Sequence, residues 1–203
     1  MYKTKLFVVS APSGAGKTSL CNKLISKYKD RLKYSISYTT REPRIGEVDG
    51  QDYFFIDEKK FKKMINNEEF LEWAVVHGNY YGTSKKLIEE YLSSGYDVIL
   101  DIDPQGARQI KAKYSDAVFI FIVAPSMKEL KNRLVNRRTE TIENINIRMK
   151  NALEEIKFYK MYDYLIVNKY LNIAFEELNA IYLSEHLKTK DIENIEELID
   201  MEV

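Results

Sequence analysis

Apolar positions along the chain gather into short runs of β-branched and aromatic residues, separated by stretches in which they recur every three or four residues. Leu6-Phe7-Val8-Val9, Asp97-Val98-Ile99-Leu100-Asp101, Val118 to Val123 and Tyr164-Leu165-Ile166-Val167 have the length and composition of buried strands. Tyr34-Ser35-Ile36-Ser37 predicts one more, shorter strand. Between the runs the spacing turns helical, with Leu20, Leu24 and Ile25 on one face of a helix over Ser19 to Tyr28. Five strands alternating with helices predict an α/β fold: a parallel five-stranded sheet with right-handed crossovers and helices on both faces. Ligands bind such sheets at the carboxyl ends of the strands.

Two segments break the alternation. From about Ser37 to Lys85 the chain is rich in Tyr, Gly and turn residues, with Tyr53 to Ile56 reading as a strand and Phe61 to Ile65 as a helix; this predicts an inserted lobe. From Ser126 to about Lys157 it reads as helical, with a break near Arg138-Thr139-Glu140. Between Ser126 and Lys150 this second segment carries seven Lys and Arg against three Glu, a local basic flap. The tail from Lys188 places Ile192, Ile195, Leu198 and Ile199 at helical spacing and predicts a terminal helix against the core or a subunit.

Composition narrows what these elements can do. The 203 residues suffice for one good core with smaller inserted lobes. Lys plus Arg and Asp plus Glu both number 31, so no global field draws the chain to nucleic acid or to a membrane. No apolar run is long enough to span a bilayer, and the first residues lack a secretory pattern. Cys21 alone cannot form an internal disulfide, which fits a reducing compartment and points to the cytoplasm. His77 and His186 are too few and too scattered for a structural metal site.

The strongest chemical signal follows the first strand. Ala11-Pro12-Ser13-Gly14-Ala15-Gly16-Lys17-Thr18 is a loop of small residues that opens a helix. Small residues let successive backbone N–H groups turn inward, and the helix adds the positive end of its dipole, which together cradle phosphates. Lys17 supplies a cation for the outer phosphates, and the Thr18 hydroxyl suits Mg²⁺. The pattern G-x-x-x-x-G-K-[ST] is met except that Ala11 stands in its first place, which a methyl tolerates if the backbone angle there is ordinary. Asp101 ends an apolar strand, so its carboxylate falls beside the cradle, where it can hold Mg²⁺ or its waters. Asp103, two residues on, reads equally as a ligand and as the cap of the helix that begins near Gly106.

The inserted lobe supplies a second anion site. Arg41 and Arg44 flank Pro43, and two guanidinium forks held close together suit a phosphate. Tyr hydroxyls nearby can donate to phosphate oxygens without adding charge. Taken singly, each tyrosine reads as core and each arginine as a solvated face; as a cluster they read as a site.

SAPSGAGKT, SYTTREPRIGEVDGQDYFF, FLEWAVVHGNYYGTS and DVILDIDPQGARQI, in that order, resemble the guanylate kinase family, and the similarity runs from about Leu6 to Asn168. The resemblance implies a P-loop core (1–36, 86–126 and 158–203), a GMP-binding lobe (37–85) and a lid (127–157). It implies phosphoryl transfer from ATP to GMP, and to dGMP, with Mg²⁺, in purine nucleotide metabolism, by a protein acting alone or as a homo-oligomer. ATP would lie on the loop Ala11 to Thr18, with Asn168 beside the adenine. Arg41, Arg44, Tyr53 and Tyr81 would hold the GMP phosphate; Ser37, Glu72 and Thr83 would meet the guanine, and Asp101 and Asp103 would lie at the floor of the site. Lys17, Arg41, Arg133, Arg137, Arg148 and Asp101 would carry the catalytic step, with Thr18 and, through water, Asp101 serving Mg²⁺. Two departures stand out: Arg138 where relatives commonly have glycine, and Pro104 after Asp103, which can shift the start of the next helix. Two other readings stay open, a non-catalytic phosphopeptide-binding module of the same fold and a P-loop kinase for a different acceptor.

Overall fold

The structure, a computed structural model, describes residues 3–76, 78–136 and 142–192. Five parallel strands form the central sheet: β1 (Leu6–Ser10), β2 (Leu32–Tyr34), β7 (Asp97–Asp101), β8 (Val118–Val123) and β9 (Tyr164–Val167). Their order is β2-β7-β1-β8-β9, so the strand that feeds the phosphate loop runs at the centre, between β7 and β8. Four of these strands fall where the hydrophobic pattern puts them. The second is a correction: it spans Leu32–Tyr34 rather than Tyr34 to Ser37. Its register pairs Leu32 with Asp97 and Tyr34 with Ile99; Ser35 adds one more bond to the Ile99 carbonyl, and the chain then leaves the sheet edge.

Side chains alternate between two apolar layers, as strands buried on both faces require. Phe7, Val9, Ile99, Ile120 and Ile122 point into one layer with Leu20 and Leu24 of α1 (Lys17–Lys27) and Leu178 and Tyr182 of α7 (Leu171–His186). Val8, Val98, Leu100, Phe119 and Phe121 point into the other, with Ile88 of α3 (Lys85–Ser93) and Ala107 and Ile110 of α4 (Pro104–Lys113). Cys21 is buried in the first layer as a free thiol, and that burial pushes it well above the usual thiol range, which makes it packing rather than chemistry.

A second sheet is built wholly from residues between the first two long strands of the core. It has four strands in the order β4-β3-β6-β5: β3 (Tyr38–Thr39), β4 (Phe54–Phe55), β5 (Phe70–Val76) and β6 (Asn79–Ser84). Helix α2 (Glu58–Asn66), capped by Asp57, lays Phe61 and Met64 on it. Only one of these strands was expected; Glu72 interrupts the apolar residues of β5, and β6 consists of tyrosines among polar and small residues.

Helices α5 (Met127–Asn136) and α6 (Ile142–Ile156) make up the basic segment. The expected break at Arg138-Thr139-Glu140, Arg137, His77 and the tail residues Ile195, Leu198 and Ile199 lie outside the described residues. No helix among the described residues is long and apolar enough to cross a membrane.

At the amino end of β7, Asp97 ties the core together. Its carboxylate accepts from Lys5 N (2.9 Å) and Tyr182 Oη (2.7 Å) and lies 2.9 Å from His186 Nε2. Burial opposes its charge, but the donors from His186 and Tyr182 outweigh it and hold the carboxyl below the usual range. Asp97→Ala strips these donors of their acceptor in a buried site. It should lower stability by about 3 kcal/mol, read as a drop in the urea midpoint at unchanged m-value.

Candidate active site

The loop after β1 turns through Gly14 (φ 91°) and Gly16 (φ 96°), left-handed angles that glycine adopts without strain. Gly16 is also a point of close approach, since a Cβ there would stand 2.3 Å from Asn168 Nδ2. That amide donates to the Ala15 carbonyl at 2.8 Å and braces the loop from beneath. Ala11 lies outside the left-handed region, so its methyl is accommodated as expected.

The parallel register of β1 and β7 sets Val9 beside Asp101, which brings that carboxylate to the mouth of the loop. Lys17 Nζ lies 2.5 Å from Asp101 Oδ1 and donates to the Ile102 carbonyl at 3.1 Å. Burial works against the ammonium, but Asp101 outweighs it and holds Lys17 above its usual range. Thr18 Oγ1 donates to Asp101 Oδ2 at 3.2 Å. Asp103 settles one of the sequence alternatives in part: its carboxylate accepts from Gly106 N at 3.0 Å and caps α4. Pro104 then occupies the first helical turn, where its fixed φ and missing N–H are no handicap, so the helix starts without disturbance.

A cavity of about 300 Å³ opens here. Ala11, Pro12, Ser13, Gly14, Gly16, Lys17, Thr18, Asp101, Asp103 and Arg148 line it together with Ser37, Arg41, Arg44, Tyr53, Glu72 and Tyr81 from the second sheet and its loops. Arg41 Nη2 is held by both oxygens of Glu47 (2.8 and 2.9 Å), and its guanidinium lies 5.4 Å from the centre of the Tyr53 ring. The hydrogen bonds from Arg41 pull Glu47 below the usual carboxylate range against the opposing effect of burial. Arg148 Nη1 reaches over to donate to Ser13 Oγ at 2.7 Å.

Among the described residues, four expected ones stand apart from the cavity lining: Ala15, Thr83, Asn168 and Arg133. Ala15 is buried under the loop, and Thr83 stands behind Glu72, donating to its Oε1 at 2.6 Å. Asn168 is buried against the loop, and its carbonyl accepts from Arg133 Nη2 at 2.9 Å while Arg133 Nε binds Glu129. Arg137 lies outside the described residues. Sequence reasoning missed Glu47, whose signal was a carboxylate six residues after Arg41, and Glu155 of α6. Glu155 lines the cavity two helical turns on from Arg148 along the same face, and burial pushes its carboxyl up to about 7 against the pull of Lys17.

A strand, phosphate loop and helix at the carboxyl ends of a parallel sheet, with a second cluster of arginines and tyrosines on the same cavity, define a P-loop protein built for two phosphate-bearing ligands. The guanylate kinase family profile matches residues 3–185. A guanylate kinase of Carboxydothermus hydrogenoformans is 53% identical over 192 residues, 95% of this chain and 94% of the relative. One from Clostridioides difficile is 50% identical over 193 residues, with the same coverage of each. The crystal structure of guanylate kinase from Anaplasma phagocytophilum superposes with a TM-score of 0.79 at 33% identity, covering 98% of this chain and 95% of that one. The chain belongs to the guanylate kinase family.

Glu72 is the most perturbed carboxylate that the cavity shares with the second sheet. Only 4% of it is exposed, and burial pushes it up to about 7, with the Thr83 hydroxyl pulling the other way and Asp103 adding to the rise. A folded Glu72 keeps its proton to about pH 7, while the unfolded one releases it near the ordinary value of 4.5. The charge therefore costs folding stability progressively between those values and in full above them. Glu72→Gln should leave stability near wild type at pH 5 and raise it at pH 8, by an amount on the order of 3 kcal/mol. Equal urea midpoints for the two proteins at pH 8 would overturn this account of the burial.

Proposed function

We propose that this protein transfers the γ-phosphoryl group of ATP to GMP, and to dGMP, yielding ADP and GDP or dGDP. The observation that carries the reading is a single cavity lined both by the phosphate loop and by a pocket of Arg41, Arg44, Tyr53, Tyr81 and the buried carboxylate of Glu72. In this reading the triphosphate lies on the loop, with Lys17 at its outer phosphates, and the GMP phosphate lies between the arginines and tyrosines. Glu72 accepts from guanine N1–H and the exocyclic amine, and Thr83 and Ser37 complete the base contacts. Adenine presents an unprotonated N1 to that carboxylate, a loss on the order of several kcal/mol. Residues 37–85 then serve as the acceptor lobe and 127–157 as the lid that carries Arg133, Arg137 and Arg148.

The GMP phosphate oxygen is already an anion and needs no general base. It forms a bond to the γ-phosphorus as the bond to the β,γ-bridging oxygen breaks, and ADP leaves. The protein's task is to offset repulsion between two anions, to align them and to exclude water. The Thr18 hydroxyl and Asp101 carboxylate, 3.2 Å apart, form a pair of hard oxygen donors at the loop mouth. That pair fits Mg²⁺, which keeps several waters and takes its remaining ligands from phosphates. When bound, Mg²⁺ neutralises charge on the transferring phosphate. The single buried thiol supports a cytoplasmic setting.

A coupled assay with ATP and each nucleoside monophosphate tests the reading, with ADP release expected on GMP and dGMP and little on AMP. Lys17→Ala should lower kcat by a factor on the order of 10² or more while leaving GMP binding, followed by calorimetry, largely intact. Absence of GMP-dependent ADP release by the wild-type protein would dismiss it.

A further inference from the structure

We propose that helix α4 sets the guanine selectivity of the pocket by clamping strand β5, with Gly106 and Gln109 as the positioning residues for Glu72. The proposal rests on the reading of Glu72 as the guanine acceptor.

Strand β5 is an edge strand of the second sheet, and its pairing with β6 slips between Phe70 and Glu72. Phe70 faces Ser84 and Glu72 faces Thr83, which leaves Leu71 as the extra residue of a bulge. The bulge divides the strand between two bodies. Phe70 packs with Phe61 and Met64 in the second sheet's core, and Leu71 packs with Ile88, Ala107 and Ile110 in the main core. Glu72 comes next, so its direction depends on how this seam is held.

Helix α4 holds it at three consecutive residues. Gly106, Gln109 and Lys113 share a helix face by their spacing of three and four. Lys113 Nζ donates to the Leu71 carbonyl at 3.1 Å. Gln109 supplies the partner that an edge strand lacks: Nε2 donates to the Trp73 carbonyl at 2.6 Å, and Trp73 N donates back to Oε1 at 3.3 Å. Between them Gly106 stands against the carboxylate itself. A Cβ on Gly106 would lie 2.2 Å from Glu72 Oε2 and 2.9 Å from its Cδ, far inside contact distance. Gly106 does not have a positive φ, so its backbone would accept any residue. A glycine inside a helix costs about 1 kcal/mol relative to alanine. What explains it here is the room it leaves for the Glu72 carboxylate.

The test is a double-mutant cycle on Gly106→Ala and Glu72→Ala, reading the KM values for GMP and ATP and the ratio of kcat/KM for GMP over AMP. With Glu72 present, Gly106→Ala should raise the GMP KM by about tenfold or more and lower the GMP preference, with the ATP KM within about twofold of wild type. In the Glu72→Ala background the same substitution should change the GMP KM by no more than about twofold, because the atoms it strikes are gone. Gln109→Ala should give the same split between the two substrates and stands in if Gly106→Ala does not fold. Equal factors in both backgrounds, or an ATP KM that moves as far as the GMP KM, would overturn the role of α4 alone. If Glu72→Ala by itself left the preference for GMP intact, the guanine reading of Glu72 would fall and this proposal with it.

Discussion

The constraint on which the rest depends is the pairing of β1 with β7. Because the two strands are parallel and adjacent, with Val9 beside Asp101, one strand's end delivers the phosphate loop and the other's delivers a carboxylate to the same point. Lys17 and Thr18, the first two residues of α1, both turn onto that carboxylate. The loop between can be tight because Gly14 and Gly16 take left-handed angles and because Asn168, at the end of β9, reaches beneath it to Ala15. Arg133 of α5 in turn fixes on the Asn168 carbonyl, so the start of the basic segment is registered on the sheet. The sheet order therefore aligns the loop, its carboxylate and Arg133 of the basic segment.

What was legible in the sequence followed uninterrupted apolar runs. Strands β1, β7, β8 and β9 lie inside the central sheet or along its edge and write themselves as apolar runs; Leu6 to Val9 and Val98 to Leu100 are almost wholly excluded from solvent. The phosphate loop was legible because its chemistry is contiguous, from Ala11 to Thr18. Strand β5 was not, because Glu72 interrupts its apolar residues, and β6 was not, because its residues are mostly polar or small. Residues whose work depends on contacts distant in sequence were also hidden. Nothing near Gly106 in the chain indicates that a carboxylate 34 positions earlier occupies the space beside it, and Gln109 reads as an ordinary surface glutamine until Trp73 is seen to pair with it. Asn168 was picked out through family resemblance, yet its amide packs under the loop, a position that only the closure of β9 onto β8 creates.

The cavity is not simply positive. Lys17 is matched to Asp101 and Arg41 to Glu47, while Glu72, Asp103 and Glu155 add further carboxyl groups to the same walls. A field this mixed does not attract anions indiscriminately. A phosphate that binds Lys17 must compete with a carboxylate at 2.5 Å, and one that binds Arg41 must displace or share a contact made to both oxygens of Glu47. Groups carrying a single charge gain little from such an exchange, because they offer no more than the carboxylate they replace. A phosphate with two charges and three acceptor oxygens gains more, and a nucleotide anchored by its base gains most, since its phosphate arrives already oriented.

The same balance bears on water. An unmatched lysine and two arginines in an open cavity would hold an ordered shell of water and small anions that a substrate would have to strip away. Pairing Lys17 with Asp101 and Arg41 with Glu47 keeps those two cations preorganised and fixed in direction, at the expense of raw attraction. Glu72 follows the opposite rule. It has a hydroxyl partner in Thr83 but, among the described residues, no cation within ion-pair distance, and its burial raises the carboxyl to about 7. Two hydrogen-bond donors presented side by side would repay that burial, since they add to the stabilisation of the charged form that Thr83 only begins. In the proposed reading, the selectivity of the pocket and the cost of building it thus have one source, a carboxylate held away from water in the space that a glycine on α4 leaves open.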